Sequence, residues 1–449
     1  MSTSDTSACA PPKVWLDGVR KRENSNVGSA ERVEPASSSQ RVLMADSFDR
    51  RGFLVATALP AAAFLARRLP SQAQTKRERS TPIAPPNDVF VTSLPRLMEI
   101  AGVPGIGMIV VQDGRTPWEH YAGVMDAGTR EPVATNTLWP AASLSKPVFA
   151  FAALRLADDG KLDLDRPLKA YVPNHAPNDE RGDRITARHV LSHSSGLRNW
   201  RNQTSDRLVP DFEPGARFQY SGEGYYYLLR VVEHITGMGF EQFMQQRLLG
   251  PLGMSSSTYA WRADMGARVV TGHDRGRTAT VYWKDLGSRL LSAAEQSGRP
   301  LASFTSEDVA AAMARMTPAP TILPNFMIPN AAATLVTTPR DYGVFMTQLL
   351  TGSLAAVAPR AESRRLMFTS HTPINSALSW GLGLGQETHG GDNYSWHWGD
   401  NGSWKNFMLV HPATRSGIAL FTNGSRGLNL ASRVMTAATG SEHEAFLWL

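Results

Sequence analysis

The chain runs to 449 residues, 42% hydrophobic and 19% charged, a balance that excludes a wholly disordered or fibrous protein and leaves room for one large or two ordinary domains. The formal charge of +6 concentrates at the amino end: residues 1 to 73 hold 10 Lys/Arg against 7 Asp/Glu, and the surplus of three beyond them argues for no nucleic-acid partner. The single cysteine, Cys9, falls in that leader, so the body of the chain has neither a disulfide nor a thiolate metal site.

Residues 1 to 84 read as a leader and linker. Residues 1 to 43 are polar and without periodicity, and Met44 is an alternative start. Ser47-Phe48-Asp49-Arg50-Arg51-Gly52-Phe53-Leu54, an apolar run to Leu65, and Ser71-Gln72-Ala73 resemble a twin-arginine export signal cleaved after Ala73. The apolar run of about 14 residues is short of the roughly 20 needed to span a bilayer. A periplasmic or secreted location is therefore expected, with membrane contact only during export.

The body begins near Pro85. Apolar spacing predicts a helix over Asp88 to Ala101, then strands at Ile106 to Val111 and Trp118 to Val124 joined by an Asp113-Gly114 turn. The stretch from about 150 to 345 reads as a helical lobe that includes Ser306 to Met316 and Tyr342 to Leu350. Strands return at Ser395 to His397, Asn406 to His411 and Gly417 to Phe421, before a last helix over Leu428 to Ala438. Strands at both ends with helices between predict one split α/β domain over residues 85 to 449.

Three motifs in that body carry chemistry. Ser143-Leu144-Ser145-Lys146 joins a weak nucleophile to a base. The run Val148, Phe149, Phe151, Ala152, Leu154 and Leu156 is helical, and Pro147, lacking an N–H, belongs in the first turn, where that donor has no partner anyway. Ser143 thus sits at the helix amino terminus, with Lys146 on the same face three residues later. A lysine buried there loses its proton near neutral pH and serves as base, while the Ser143 N–H helps bind an oxyanion. Ser-x-x-Lys alone arises by chance about once in a chain of this size. Tyr220-Ser221-Gly222, ahead of a helix over Leu228 to Ile235, places a phenol to relay a proton to the leaving group. Tyr225, Tyr226 and Tyr227 show that rings in this segment also simply pack. His397-Trp398-Gly399-Asp400 offers a strand edge whose Asp400 N–H is a second oxyanion donor, with Gly399 permitting close approach and His397 facing substrate or tyrosine.

The order and spacing of these motifs resemble the class C β-lactamases and their relatives, the family VIII carboxylesterases, D-aminopeptidases and DD-peptidases, over nearly all of residues 85 to 449. Longer strings add specificity: Leu162-Asp163-Leu164-Asp165-Arg166-Pro167, residues 185 to 197 (Ile185 to Leu197, containing His193-Ser194-Ser195-Gly196), and residues 331 to 342 (Ala331 to Tyr342). The resemblance implies an α/β (α+β) fold of the β-lactamase/transpeptidase type, an antiparallel sheet flanked by helices with an inserted, mainly helical lobe. It implies Ser143 as acylated nucleophile, Lys146 as its base and Tyr220 as proton relay that also helps activate the deacylating water. His397 stands where a lysine begins the Lys-Thr-Gly triplet of β-lactamases and DD-peptidases. No cofactor or metal is implied.

Two departures bear on the substrate. Gly222 replaces the asparagine that commonly ends Tyr-x-Asn and touches a substrate amide. Trp398 replaces the small middle residue of the triplet, where a ring narrows the acyl pocket or stacks on an apolar substrate. With Gly399, these residues are the expected substrate contacts, and they favour a carboxylesterase-like enzyme on small esters or amides over a β-lactamase, a D-Ala-D-Ala carboxypeptidase or a D-aminopeptidase. From another class, the same fold holding penicillin or peptidoglycan without turnover is the rival. His189 and His193, four apart, suit a zinc site only if a glutamate follows the first, and Val190 stands there, so His193 reads as a structural loop residue. No Gly-x-Ser-x-Gly elbow occurs, Gly105-x-Gly107 is no dinucleotide site, and oligomeric state is not encoded legibly.

Overall fold

The computed structural model describes residues 80–177, 179–274, 277–278 and 282–449. The export signal read at about 44–73, with the leader around it, lies outside the described residues. Helix α1 (Asp88–Ala101) starts where the Asn87 side chain accepts the Phe90 N–H and stops at Gly102, φ 63°. Strands β1 (Gly105–Gln112) and β2 (Arg115–Gly123) follow as a hairpin. Its turn residues Asp113 and Gly114 have φ of 49° and 82°, positive angles whose twist suits a two-residue connection.

The remaining strands of this sheet come from the carboxyl end: β3 (Thr372–Pro373), β4 (Leu378–Trp380), β5 (Gly385–His389), β6 (Asp392–Asp400), β7 (Lys405–His411) and β8 (Ser416–Thr422). All pair antiparallel in the order β2-β1-β8-β7-β6-β5-β4-β3. Ile106 of β1 lies opposite Thr422 of β8, so the two ends of the body meet inside one sheet. Between β2 and β3 come α2 (Ser145–Asp158), α3 (Gly222–Thr236), α4 (Tyr282–Ser297), α5 (Ser306–Ala314) and α6 (Pro339–Thr351), and after β8 come α7 (Gly427–Thr439) and a last short helix, Ala445–Trp448. This is the antiparallel sheet with an inserted helical lobe that the family resemblance implies.

Alternation along the strands sorts the core into two layers. Met408, Val410, Ala419 and Phe421 face α2 and α6, whereas Phe407, Leu409, Ile418 and Leu420 face α1 and α7. Helix α2 has 11 of its 14 residues buried and therefore no solvent face. A separate apolar cluster, including Leu286, Leu290, Val309 and Met313, joins α4 to α5. Among the described residues no helix is long and apolar enough to cross a membrane.

Three departures from the predicted elements matter for the site. Helix α3 begins at Gly222 rather than Leu228, because the Ser221 hydroxyl caps it by accepting the Gly224 N–H, and this puts Tyr220 directly before the first turn. Strand β6 runs to Asp400, so His397, Trp398 and Gly399 are strand residues. Strands β3, β4 and β5 are absent from the predicted elements, being two to five residues long and punctuated by Gly381, Gly383 and Gly385, which break the alternation.

Candidate active site

Ser143 occupies a single tight turn, Ala142–Leu144, that runs straight into α2, with Pro147 at the helix's third residue, where no N–H is missed. The preceding Ala142 sits at φ 52°, a left-handed conformation that costs a non-glycine residue about 1–2 kcal/mol. The surroundings hold it there. The Ala141 N–H donates to Leu335 O (2.7 Å), Ser145 Oγ to Ala142 O (2.5 Å) and the Leu335 N–H to Ser145 Oγ (3.0 Å). The phenols of Tyr342 and Tyr259 donate to Leu144 O (3.1 Å) and Ser145 O (2.9 Å), and Asn406 Nδ2 to Pro140 O (2.9 Å). The string 331–342 thus has a physical role, since two of its residues, Leu335 and Tyr342, brace the nucleophile turn.

Lys146 is 1% exposed, and its Nζ lies 3.1 Å from Ser143 Oγ while donating to Ala332 O at 2.9 Å. Burial in this apolar helix drives its pKa well below the ordinary lysine value, since the charged form has lost its water. A deprotonated amine keeps a lone pair, and Ser143 Oγ is the hydroxyl within its reach.

Tyr220 approaches from the other side. Lys146 Nζ lies 4.6 Å from the centroid of its ring. Burial raises the phenol's pKa and the nearby Ser143 hydroxyl eases it, so Tyr220 stays protonated at neutral pH. Its hydroxyl makes no hydrogen bond of good geometry with the protein, which leaves it available to an incoming group. The ring packs against His193 (4.2 Å between centroids) and Trp398 (4.7 Å).

His397 lies opposite Met408 and so points to the α2 face, the side of Ser143. It is buried. Its Nδ1–H donates to Trp398 O at 2.7 Å, which leaves Nε2 as an unpartnered acceptor. Burial pushes its pKa down to about 3, so the ring is neutral. Trp398, opposite Phe407, leaves on the other face of β6, and its half-buried ring joins Trp380, Trp396 and Trp448. Its reach towards the chemistry therefore runs through the Tyr220 ring rather than along the Ser143 side of the strand.

The edge of β6 is aimed at the nucleophile turn. Pairing with β5 ends at Trp396, and the Asn401 N–H to Trp404 O bond (3.1 Å) closes the β6–β7 hairpin. Counting back in twos, Gly399 and His397 pair with β7 while Trp398 and Asp400 present their N–H groups to the uncovered edge. The Asp400 carboxylate turns away to Lys405 Nζ (2.5 Å) and the Gly402 N–H (2.8 Å), leaving its backbone for the site. A Cβ on Gly399 would lie 2.4 Å from Ala141 O. Gly399→Ala must therefore push this edge away from Ser143, and hydrolytic kcat is expected to fall about 10²–10³-fold, the loss typical of one oxyanion donor. Retention of kcat by a folded Gly399→Ala protein would remove the Asp400 N–H from the mechanism.

Gly222 lies beneath an aromatic ring. A Cβ there would be 2.2 Å from Trp200 Cζ2, and the Gly222 N–H is taken by Asn199 Oδ1 and Asn199 O. The Trp200 indole thus packs directly on Gly222, in the space that the asparagine of a Tyr-x-Asn motif would need. Sequence reasoning missed Trp200, Trp380 and the contact of His193 with Tyr220, since nothing in their spacing shows which rings meet across separate loops. His189 and His193 do not converge: His189 Nδ1 accepts the Thr186 N–H (3.3 Å) in a helix cap while His193 turns to Tyr220.

The fold and site are those of a β-lactamase/transpeptidase-like protein. The chain shares its fold with a solved class C β-lactamase at a TM-score of 0.60, with 18% identity over 79% of this chain and 97% of that one. The family profile described as Beta-lactamase matches residues 92–436, and the chain belongs to that family. It is 36% identical over 109 residues to the human mitochondrial serine beta-lactamase-like protein LACTB, 24% of this chain and 20% of that protein. It is 30% identical over 210 residues to Esterase EstB of Burkholderia gladioli, 40% of this chain and 53% of that enzyme. The matched stretches thus span a fifth and about half of these relatives' own lengths.

Proposed function

We propose that the protein is a serine hydrolase that cleaves carboxylic esters, and more slowly amides, through an acyl-enzyme on Ser143. The observation that carries this is the buried Lys146 amine 3.1 Å from Ser143 Oγ, whose pKa burial drives well below the ordinary lysine value. Lys146 takes the serine proton as Oγ adds to the substrate carbonyl, and the N–H groups of Ser143 and Asp400 hold the oxyanion. Tyr220 passes a proton to the departing alkoxide and accepts one back from the water that cleaves the acyl-enzyme.

The preference for esters over β-lactams rests on two features. At position 397 a neutral imidazole offers no fixed positive charge to a substrate carboxylate, and at Gly222 the amide-recognising side chain is absent and its space holds Trp200. Similarity to Esterase EstB supports the same choice. We further infer periplasmic or secreted localisation through the twin-arginine route, on the strength of the Arg50-Arg51 signal. The substrate reading is tested by comparing kcat/KM for p-nitrophenyl butyrate, nitrocefin and D-alanine p-nitroanilide. The ester is expected to be turned over fastest. Nitrocefin hydrolysis faster than ester hydrolysis overturns the preference, and a single-equivalent burst without steady state on all three replaces the enzyme reading by that of a binding protein.

A further inference from the structure

His193 makes three separate contacts around one residue. Its carbonyl accepts the N–H of Gln219 at 2.7 Å, and its Nδ1 accepts the N–H of Ser221 at 3.1 Å, so a single residue holds the backbone N–H of each neighbour of Tyr220. Its ring then lies 4.2 Å from the Tyr220 ring at 35°, completing the enclosure. His193 itself sits at φ 53° with no exposed surface, a strained backbone that persists only where its surroundings impose it.

The loop that carries His193 is pinned independently. The His193 N–H donates to Val190 O (3.1 Å), the Ser194 N–H to His189 O (2.8 Å) and the Gly215 N–H to Ser194 O (2.7 Å). Because Nδ1 accepts a backbone N–H, the ring is the Nε2–H tautomer, and that Nε2 is buried without a protein partner. A ring serving only to fill space gains nothing from an Nδ1 bond to the Ser221 N–H beside Tyr220. Leucine would fill it without the cost of an orphan donor.

We propose that His193 is the positioning residue of Tyr220, fixing the phenol within reach of Ser143 and the leaving group by clamping residues 219 and 221. The proposal rests on Tyr220 being the proton relay. Its geometry makes a discriminating pair of variants available. In asparagine, Oδ1 stands the same number of bonds from Cα as Nδ1, and asparagine tolerates positive φ. Glutamine places its amide near Nε2 and offers no acceptor at the Nδ1 position.

The experiment measures kcat and KM for p-nitrophenyl butyrate in His193→Asn, His193→Gln, Tyr220→Phe and Tyr220→Phe/His193→Gln, each checked by circular dichroism. His193→Gln is expected to lose about 100-fold in kcat at unchanged KM, the scale of an ångström-sized misplacement. His193→Asn is expected to stay within about tenfold of the wild type, because it keeps the Ser221 bond but loses the ring contact. The double variant should be no slower than Tyr220→Phe alone, since a residue acting through Tyr220 has nothing left to position. Equal losses in the asparagine and glutamine variants, or multiplying losses in the double variant, overturn the proposal. Should His193→Gln fail to fold, a folded His193→Asn protein as slow as Tyr220→Phe overturns it by itself. Wild-type kcat in Tyr220→Phe is a different result: it removes the relay reading, and this proposal with it.

Discussion

Ser143→Ala is expected to lower steady-state ester turnover by roughly a millionfold, the loss seen when the nucleophile of a cooperating catalytic group is removed. The fold should be untouched. Ser143 Oγ has Lys146 Nζ as its hydrogen-bond partner of good geometry, and the turn around it is held by backbone groups and by Ser145, Tyr259, Tyr342 and Asn406. Substrate affinity should change little, because the edge of β6 and the rings around Tyr220 stay in place. Turnover by Ser143→Ala within about tenfold of the wild type would transfer the chemistry to another residue.

Lys146→Met is expected to abolish acylation while giving a protein that folds at least as stably as the wild type. The amine is buried and its pKa is driven far down by desolvation, so the unfolded chain holds a proton there that the folded protein must release. The sign follows directly. Below the ordinary lysine pKa of 10.5 the unfolded state binds more protons at this position, so Lys146 destabilises the fold, and the penalty shrinks as pH rises towards that value. Methionine removes the penalty but orphans the Ala332 carbonyl that accepts from Nζ. The thermal midpoint of Lys146→Met relative to wild type should therefore decline as pH rises towards 10. A midpoint difference that grows with pH would show that Lys146 is charged in the folded protein and is no base.

How much of this was legible in the sequence depends on whether the information is local. Helical spacing after Pro147 puts Ser143 and Lys146 on one turn, and short apolar runs mark β1, β7 and β8, because each signal is carried within a dozen residues. Gly399 was readable for the same reason, as a glycine at a strand edge. Contacts between elements were not readable. That Trp398 leaves the face opposite His397 depends on the register with Phe407 and Met408, and that Trp200 covers Gly222 depends on a loop some twenty residues away. His193 is the clearest case: as a sequence element it is a histidine in a polar loop, and only the hydrogen bonds to residues 219 and 221 give it a role. The short strands β3 to β5 escaped because two to five residues interrupted by glycine carry too little periodicity to register.

The central claim is that Ser143 carries the acyl group, and intact-protein mass spectrometry after brief exposure to p-nitrophenyl butyrate, followed by peptide mapping, tests it most directly. The expected result is a mass increase of one butyryl group on the wild-type protein, located on the peptide containing Ser143 and absent from Ser143→Ala. An adduct on any other serine, or ester turnover with no adduct trapped even at low pH, would contradict the account.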